Sequence, residues 1–183
     1  KKALSLIVDR DVIVEEFYGG HGKATSNILN YVSPFSIDIP AEHDPNLAVE
    51  IAQQELQGER QNIELIIPTW ALNRYPYKAE AEYIQALLLE LGLDTEIIIL
   101  DGAAFREALE TGDFHIALNI QGLPNGEPFT IFDRFMHSEG STNASYNLGY
   151  KNNKVDELLA EAENTIDLEI RKEIYEKLQY ISA

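Results

Sequence analysis

In the middle of the chain, the spacing of hydrophobic and polar positions changes in a regular order. Three short apolar runs predict β-strands at 62–68 (NIELIIP), 94–100 (DTEIIIL) and 113–119 (DFHIALN). Between them, apolar residues recur every three or four positions over 78–92 and 103–112, and both stretches end in glycine. This is typical of amphipathic helices. The alternating order predicts an α/β fold, with a mostly parallel sheet, right-handed crossovers and helices packed on it.

Helical spacing continues on both sides of the predicted sheet. Gly19 and Gly20 are expected to end one helix, and Asp44 followed by Pro45 is typical of the start of another. Between these two points, residues 21–44 are expected to form the longest loop. The helices predicted outside the sheet region cover residues 1–8, 10–18, 45–56, 128–136, 152–164 and 167–181.

The loops after the first and third predicted strands are longer than a connection needs. In a parallel sheet all such loops leave at the carboxyl edge, where ligands bind. The first loop, 68–77 (PTWALNRYPY), offers aromatic rings and a guanidinium that can pair with a carboxylate, and the second, 119–127, offers amides. Candidate ligand-binding residues on these loops are Trp70, Arg74, Tyr75, Tyr77, Asn119, Gln121 and Asn125. An alternative left open is that Trp70 and Tyr77 only fasten their loop to the next helix.

The charge balance narrows the class of partner. Thirty-one acidic residues against fourteen basic ones give a net charge of −17, which argues against nucleic acid and against anionic membrane surfaces. Most acidic residues fall on predicted helix faces, Glu80, Glu82 and Glu90 among them, and are expected to be solvated. The absence of cysteine excludes disulfides, thiolate zinc sites and cysteine nucleophiles. No cofactor is expected.

Enzymatic motifs are weak in this sequence. The stretch at 19–25 (GGHGKAT) departs from a phosphate-binding loop at Phe17 and Ala24, and it follows a helix where that motif needs a strand. A small α/β hydrolase or transferase would need a nucleophile or an acid–base pair on the two long loops, where Glu127 is the only candidate. Outside these loops, the sequence leaves open a catalytic role for Asp101 or Asp133, each taken by itself. A pure interaction domain, a third possibility, would expose an apolar patch.

Four segments, taken in order, resemble one protein family. They are KKALSLIVDRDVIVEEFYGGHG (1–22), DPNLAVEIAQQEL (44–56), AEYIQALLLELGLDTEIIILDGAAFREALETGDFHIALN (81–119) and NASYNLGYKNNKVDELLAEAENTIDLEIRKEIYEKLQYI (143–181). In these segments the chain is similar to the solute-binding proteins of ABC importers, in the oligopeptide, dipeptide and nickel group known as family 5. The similarity extends over nearly the whole chain.

The resemblance implies a fold, a location and a partner. The fold would be a type II periplasmic-binding-protein-like lobe, and residues 1–183 would form a single ligand-binding lobe excised from a larger, two-lobed protein that closes on its ligand. Neither end of the sequence carries a helix cap, which agrees with that expectation. The whole protein would work outside the cytoplasm, in the periplasm or lipid-anchored on the outer face of the membrane. As a monomer without catalytic activity, it would deliver short peptides to an ABC permease.

One departure from the family pattern leaves the ligand open. Peptide-binding relatives usually carry an aromatic residue and Asp-Pro after the GDF segment, whereas here the chain reads NIQGLPNGEPF. The resemblance therefore also allows nickel or another metal chelate, held in an aromatic, Arg-lined pocket. His137 would then contact the metal, although the histidines show no metal-ligand spacing by themselves. Tyr146 and Asn147 lie in the matching family stretch and are expected to flank the cleft.

Overall fold

The computed structural model describes residues 1–122 and 127–183, which fall into two compact units. Unit 1 comprises residues 1–24, 41–109 and 113–120. Unit 2 comprises residues 25–40, 110–112 and the described part of 121–183. Within the described ranges, no helix combines the length and the apolar content that crossing a bilayer requires.

The elements follow the predicted order. The strands are β1 (Gln61–Pro68), β2 (Leu93–Leu100) and β3 (Ile116–Ala117). The α-helices before β1 are α1 (Lys2–Ile7), α2 (Arg10–Val12) and α3 (Pro45–Leu56), and those after it are α4 (Tyr77–Glu90), α5 (Gly102–Thr111), α6 (Pro128–Met136), α7 (Ser141–Ser145), α8 (Asn153–Asn164) and α9 (Leu168–Ser182). A π-helical turn covers Ile13–Phe17 and a 3₁₀ turn covers Thr69–Ala71.

The sheet in unit 1 has the order β2-β1-β3, and both pairings are parallel, as predicted. Leu65 of β1 is in register with Ile97 of β2 and with Ile116 of β3. The third strand is shorter than the predicted 113–119. Two backbone hydrogen bonds extend the pairing by one residue on each side, from His115 N to Glu64 O (3.2 Å) and from Leu118 N to Ile66 O (3.1 Å).

The core of unit 1 lies between β1 and the helices. In β1, Leu65, Ile66 and Ile67 have at most 1% of their surface exposed. The apolar stripe predicted on α4 is confirmed, because Ala81, Leu88 and neighbouring stripe residues are buried against this strand. Burying one large aliphatic side chain stabilises a fold by roughly 1.5–3 kcal/mol, so this layer contributes a large part of the stability of unit 1.

The helix predicted over 10–18 is interrupted. Asp9 caps it, its Oδ1 accepting hydrogen bonds from Asp11 N (3.0 Å) and Val12 N (3.1 Å), but regular helix ends at Val12. The β-branched run from Val12 through Val14 favours helix poorly, and the chain widens into the π turn. Gly20, with a left-handed φ of 75°, closes the segment by donating its backbone N–H to Val14 O at 2.9 Å.

Unit 2 is built on α6, α8 and α9, and its core includes Phe132, Leu159 and Tyr175. A single buried amide, Gln179 of α9, holds the irregular segment 25–40. Its Oε1 accepts from Asn27 Nδ2 (2.6 Å) and Ile37 N (2.9 Å), and its Nε2 donates to Phe35 O (2.9 Å). These bonds satisfy polar groups that would otherwise be buried without partners.

Replacing this amide by an apolar side chain of similar size should cost much of the stability of unit 2. In Gln179→Leu, Asn27 Nδ2 keeps only a long hydrogen bond to Ile37 O (3.4 Å), and two backbone groups lose their partner. We therefore expect the free energy of unfolding, measured by urea denaturation, to fall by roughly 3 kcal/mol. Gln54→Leu is the matched control, because Gln54 is exposed on α3. Equal midpoints for the two variants would contradict this account of the 25–40 segment.

Candidate functional site

The carboxyl edge of the sheet in unit 1 brings the loops after the strands together. Because the three strands are parallel, the chain leaves β1 after Pro68, β2 after Leu100 and β3 after Ala117 at one edge. A Cβ placed on Gly102 would lie 3.9 Å from Cδ1 of Trp70, so the indole lies beside the start of α5. The loops after β1 and β2 therefore meet at this edge.

The loop after β1 presents an aromatic ring and a cation to the outside. Trp70 is 42% exposed, and Arg74 is exposed and has no ion pair or side-chain hydrogen bond among the described residues. Ala71, which is fully buried, anchors the loop from below and accepts backbone hydrogen bonds from Arg74 N and Tyr75 N, both at 2.9 Å. This arrangement leaves the Arg74 guanidinium available for an anionic group.

Tyr75 and Tyr77 form a stacked pair with ring centroids 5.4 Å apart and an angle of 27° between the ring planes. Tyr77 is only 5% exposed, and burial, followed by the nearby Glu80 carboxyl, raises the pKa of its hydroxyl to about 12. The buried ring fits the alternative in which Tyr77 fastens the loop to α4. A direct role of either tyrosine in binding stays a prediction.

Glu80 does not lie on a solvated helix face, contrary to the expectation from its position in the sequence. It is 7% exposed in the first turns of α4, and its Oε1 has no hydrogen-bond partner within the described chain. The Tyr18 hydroxyl lies near this carboxyl, and each of the two groups shifts the pKa of the other. Burial raises the pKa of Glu80, and the hydrogen bond from Tyr18 offsets only part of that shift.

Asn119 and Gln121, the two amide candidates after β3 that the structure describes, are exposed and make only local hydrogen bonds within the described chain. Oδ1 of Asn119 accepts from Ile120 N at 2.8 Å, and Nε2 of Gln121 donates to Gly122 O at 2.9 Å. Asn119 belongs to unit 1 and Gln121 to unit 2. Asn125 lies outside the described residues. Both described amides keep hydrogen-bonding groups available to a ligand.

In unit 2, both ring nitrogens of His137 face groups of the same chain. Nδ1 accepts a hydrogen bond from Glu139 N at 3.1 Å, and Nε2 lies 3.9 Å from Oδ1 of Asp156. Asp156 Oδ1 also accepts from Ser138 N at 2.8 Å. A metal at His137 would have to replace one of these contacts, and its role there stays a prediction. Among the described residues, no group of three or more His, Asp or Glu side chains is arranged to hold a metal.

Tyr146 and Asn147 follow α7, a short helix that the periodicity did not reveal. Tyr146 is half-buried, whereas Asn147 is exposed, has a left-handed φ of 51° and donates from Nδ2 to Thr111 O at 3.5 Å. The residue that fixes this region is the buried Asn143. Its Nδ2 donates to Tyr150 O (2.7 Å), and its Oδ1 accepts from Tyr150 N (3.0 Å). No spacing pattern in the sequence indicates such a buried amide.

Comparison with known proteins gives a family match. The model of the bacterial extracellular solute-binding proteins, family 5 (middle region), matches residues 1–143. No curated protein matches the chain.

Solved structures give a similar result for the fold. The DppA periplasmic binding protein of Helicobacter pylori, in complex with the peptide STSA, has a TM-score of 0.85 at 20% identity; the match covers 98% of this chain and 35% of that protein. NikA of Staphylococcus aureus, in complex with Ni(L-His)2, has a TM-score of 0.83 at 20% identity; the match covers 99% of this chain and 38% of NikA. AppA of Bacillus subtilis, in complex with a nonapeptide, has a TM-score of 0.81 at 22% identity; the match covers 99% of this chain and 38% of AppA.

The chain therefore spans a little more than a third of the length of these proteins. At this level of identity the likeness establishes the fold, a periplasmic-binding-protein-like arrangement of a parallel sheet with helices packed on it. The predicted fold class is confirmed.

The raised pKa of Glu80 has a measurable consequence for stability. The ordinary pKa of glutamate is 4.5. A carboxyl whose pKa is raised in the folded chain stabilises that chain fully below pH 4.5, and this contribution is lost as the pH rises through the folded-state pKa. In Glu80→Gln there is no carboxyl to ionise. We therefore expect the melting temperature of this variant, relative to the unmodified protein, to rise as the pH increases from 4.5 into the neutral range.

The matched control is Glu82→Gln, since Glu82 lies on the same helix but is exposed and pairs with Lys78 at 3.8 Å. Its melting temperature relative to the unmodified protein should vary little over the same pH range. A difference for Glu80→Gln that does not change with pH would contradict the assignment of a raised pKa to this carboxyl.

Proposed function

The chain belongs to the bacterial extracellular solute-binding proteins of family 5, and on that premise we propose that the whole protein binds short peptides outside the cytoplasm and delivers them to the permease of an ABC importer. One observation at the carboxyl edge of unit 1 carries this proposal for the chain itself. There, the loop after β1, anchored by the buried Ala71, carries the exposed indole of Trp70 and the guanidinium of Arg74, which has no ion pair with any residue that the structure describes. An indole can pack against a ligand side chain or the ligand backbone, and a guanidinium binds a carboxylate through two parallel hydrogen bonds.

We further propose that residues 1–183 form one ligand-binding lobe of a longer, two-lobed monomer, which would close around its ligand and remove it from water. The coverage of little more than a third of DppA, NikA and AppA supports a longer parent protein. The protein would be periplasmic or lipid-anchored on the outer face of the membrane. Its role would be recognition without catalysis, because the exposed groups on the loop after β1 include neither a nucleophile with an adjacent base nor an acid–base pair.

Binding of nickel or another metal chelate is the second candidate. The observation that favours it is the loop after β3, where Asn119, Gln121 and Asn125 stand in a segment without an aromatic residue before Phe129. Amides suit a small polar ligand better than the side chain of a long peptide. NikA of Staphylococcus aureus, which shares the fold, was solved with Ni(L-His)2. In this case Arg74 would bind a carboxylate of the chelating molecule.

The two candidates can be separated with the full-length protein in a thermal-shift experiment. We expect pools of short peptides to raise the melting temperature, because a ligand at 100 times its dissociation constant stabilises the native state by about 2.7 kcal/mol. Nickel alone and nickel with free histidine form the second arm. A rise with nickel and histidine only would replace the peptide proposal with the chelate proposal, and the absence of any shift in both arms would contradict both.

Arg74→Gln should weaken binding of whichever ligand is found. Losing a charge-assisted pair with a ligand carboxylate is expected to cost about 2 kcal/mol, which is a loss of roughly 30-fold in affinity by calorimetry. Lys78→Gln is the matched control, because Lys78 is an exposed cation four residues further along that pairs with Glu82. Equal affinities for the two variants would contradict the role given to Arg74.

A further inference from the structure

A buried carboxyl connects the candidate ligand loop to a distant segment of unit 1. Glu80 lies three residues after Tyr77, where loop 68–77 passes into α4. Tyr18 directly follows the π turn, and its hydroxyl lies near the Glu80 carboxyl and influences its pKa. A second contact lies beside it, since the rings of Phe17 and Tyr83 are 5.8 Å apart at an angle of 58°. Two side-chain pairs thus join the π-turn segment to the first turns of α4.

We propose that Glu80 is a positioning residue for the loop 68–77, and that the proton it binds determines how firmly this loop is held. The importance of this loop for ligand binding rests on the function proposed above, whereas the mechanical role of Glu80 does not depend on it. Nothing in the family match assigns a function to this residue.

The geometry explains how Glu80 can act through its neighbours. Tyr77 is buried next to Glu80, and Tyr75 stacks on Tyr77 and directly follows Arg74. A shift of the Glu80 side chain therefore moves the ring pair on which the outer part of the loop rests. Because buried side chains are close-packed, such a shift is transmitted to the next residues instead of being absorbed by empty space.

The protonation state matters because one carboxyl oxygen is unpaired. Oε1 of Glu80 is buried and has no partner within the described chain. An ionised carboxylate in this position lacks both water and a second donor, which disfavours the packed arrangement. The titratable groups that face Glu80 are the hydroxyls of Tyr18 and Tyr77, and burial raises the pKa of both, to about 12 for Tyr77. Both phenols stay neutral at ordinary pH, so Glu80 is the member of this cluster whose charge changes as the pH rises from 4.5 into the neutral range.

The single tryptophan of the 183-residue protein provides a direct readout. Trp70 lies on the loop in question and is 42% exposed, so quenching of its fluorescence by acrylamide reports how well the loop covers it. As the pH rises from 4.5 into the neutral range and Glu80 ionises, we expect the quenching constant to increase by roughly half. Glu80→Gln should remove this increase and stay near the low-pH value, because the amide cannot ionise.

Two further variants complete the test. Glu82→Gln should keep the full pH response, since Glu82 is exposed on the same helix. Tyr18→Phe deletes the hydroxyl that holds the carboxyl and should raise quenching at every pH, with the circular dichroism of the folded protein retained. An unchanged pH response in Glu80→Gln would overturn the proposal. So would a flat response in the unmodified protein, or normal quenching in Tyr18→Phe.

Ligand binding by the full-length protein separates this proposal from the proposed function. If the loop is the ligand loop, the affinity for a peptide or chelate identified in the screen should fall several-fold as the pH rises over the same range, and Glu80→Gln should flatten that fall. A quenching response that depends on Glu80 in a protein that binds neither ligand class would leave the positioning role standing and contradict the transport function. Ligand binding that is insensitive to Glu80→Gln, together with unchanged quenching, would contradict the positioning role and leave the transport function standing.

Discussion

The parallel pairing of β1 with a strand on each side is the constraint on which the rest of unit 1 depends. A central strand of a parallel sheet is covered on both faces, and β1 meets that requirement with Leu65, Ile66 and Ile67. Parallel strands can only be connected by crossovers; here α4 connects β1 to β2, and α5 connects β2 to β3 on the other side of β1. The same geometry sends the chain out of every strand at one edge, which is why Trp70 lies beside the start of α5.

The parts of the fold that could be predicted are those that depend on local signals. The apolar stripe of α4, the buried run of β1 and the capping residues Asp9, Asp44 and Asp167 are each visible within a few residues of sequence. The π turn after Val12, the shortness of β3 and the helix α7 were not predicted. They depend on competition between local preference and pairing with other segments, which spacing alone does not reveal.

The candidate site, too, could be predicted only in part from local sequence signals. The types of residue on loop 68–77 indicated a recognition surface, and the exposed positions of Trp70 and Arg74 agree with it. The sequence did not reveal that Glu80 is buried, because its nearest polar partner, Tyr18, is 62 positions away in the chain. In unit 2, Asn27 and Gln179 are separated by 152 positions. Buried polar pairs of this kind are set by the folded topology, and helical periodicity places their members on the surface.

The net negative charge of the protein bears on the role of Arg74 at the edge of the sheet. With 31 acidic and 14 basic residues, a cation in this chain has many carboxylates within reach, and Arg60, Lys78 and Arg171 each pair with one. Arg74 does not, among the residues that the structure describes. The negative field of the whole protein is screened beyond about 8 Å at physiological ionic strength, so distant carboxylates oppose an anionic group near this loop only weakly. An exposed guanidinium without a carboxylate partner is therefore a group with which an otherwise acidic protein can bind an anionic ligand.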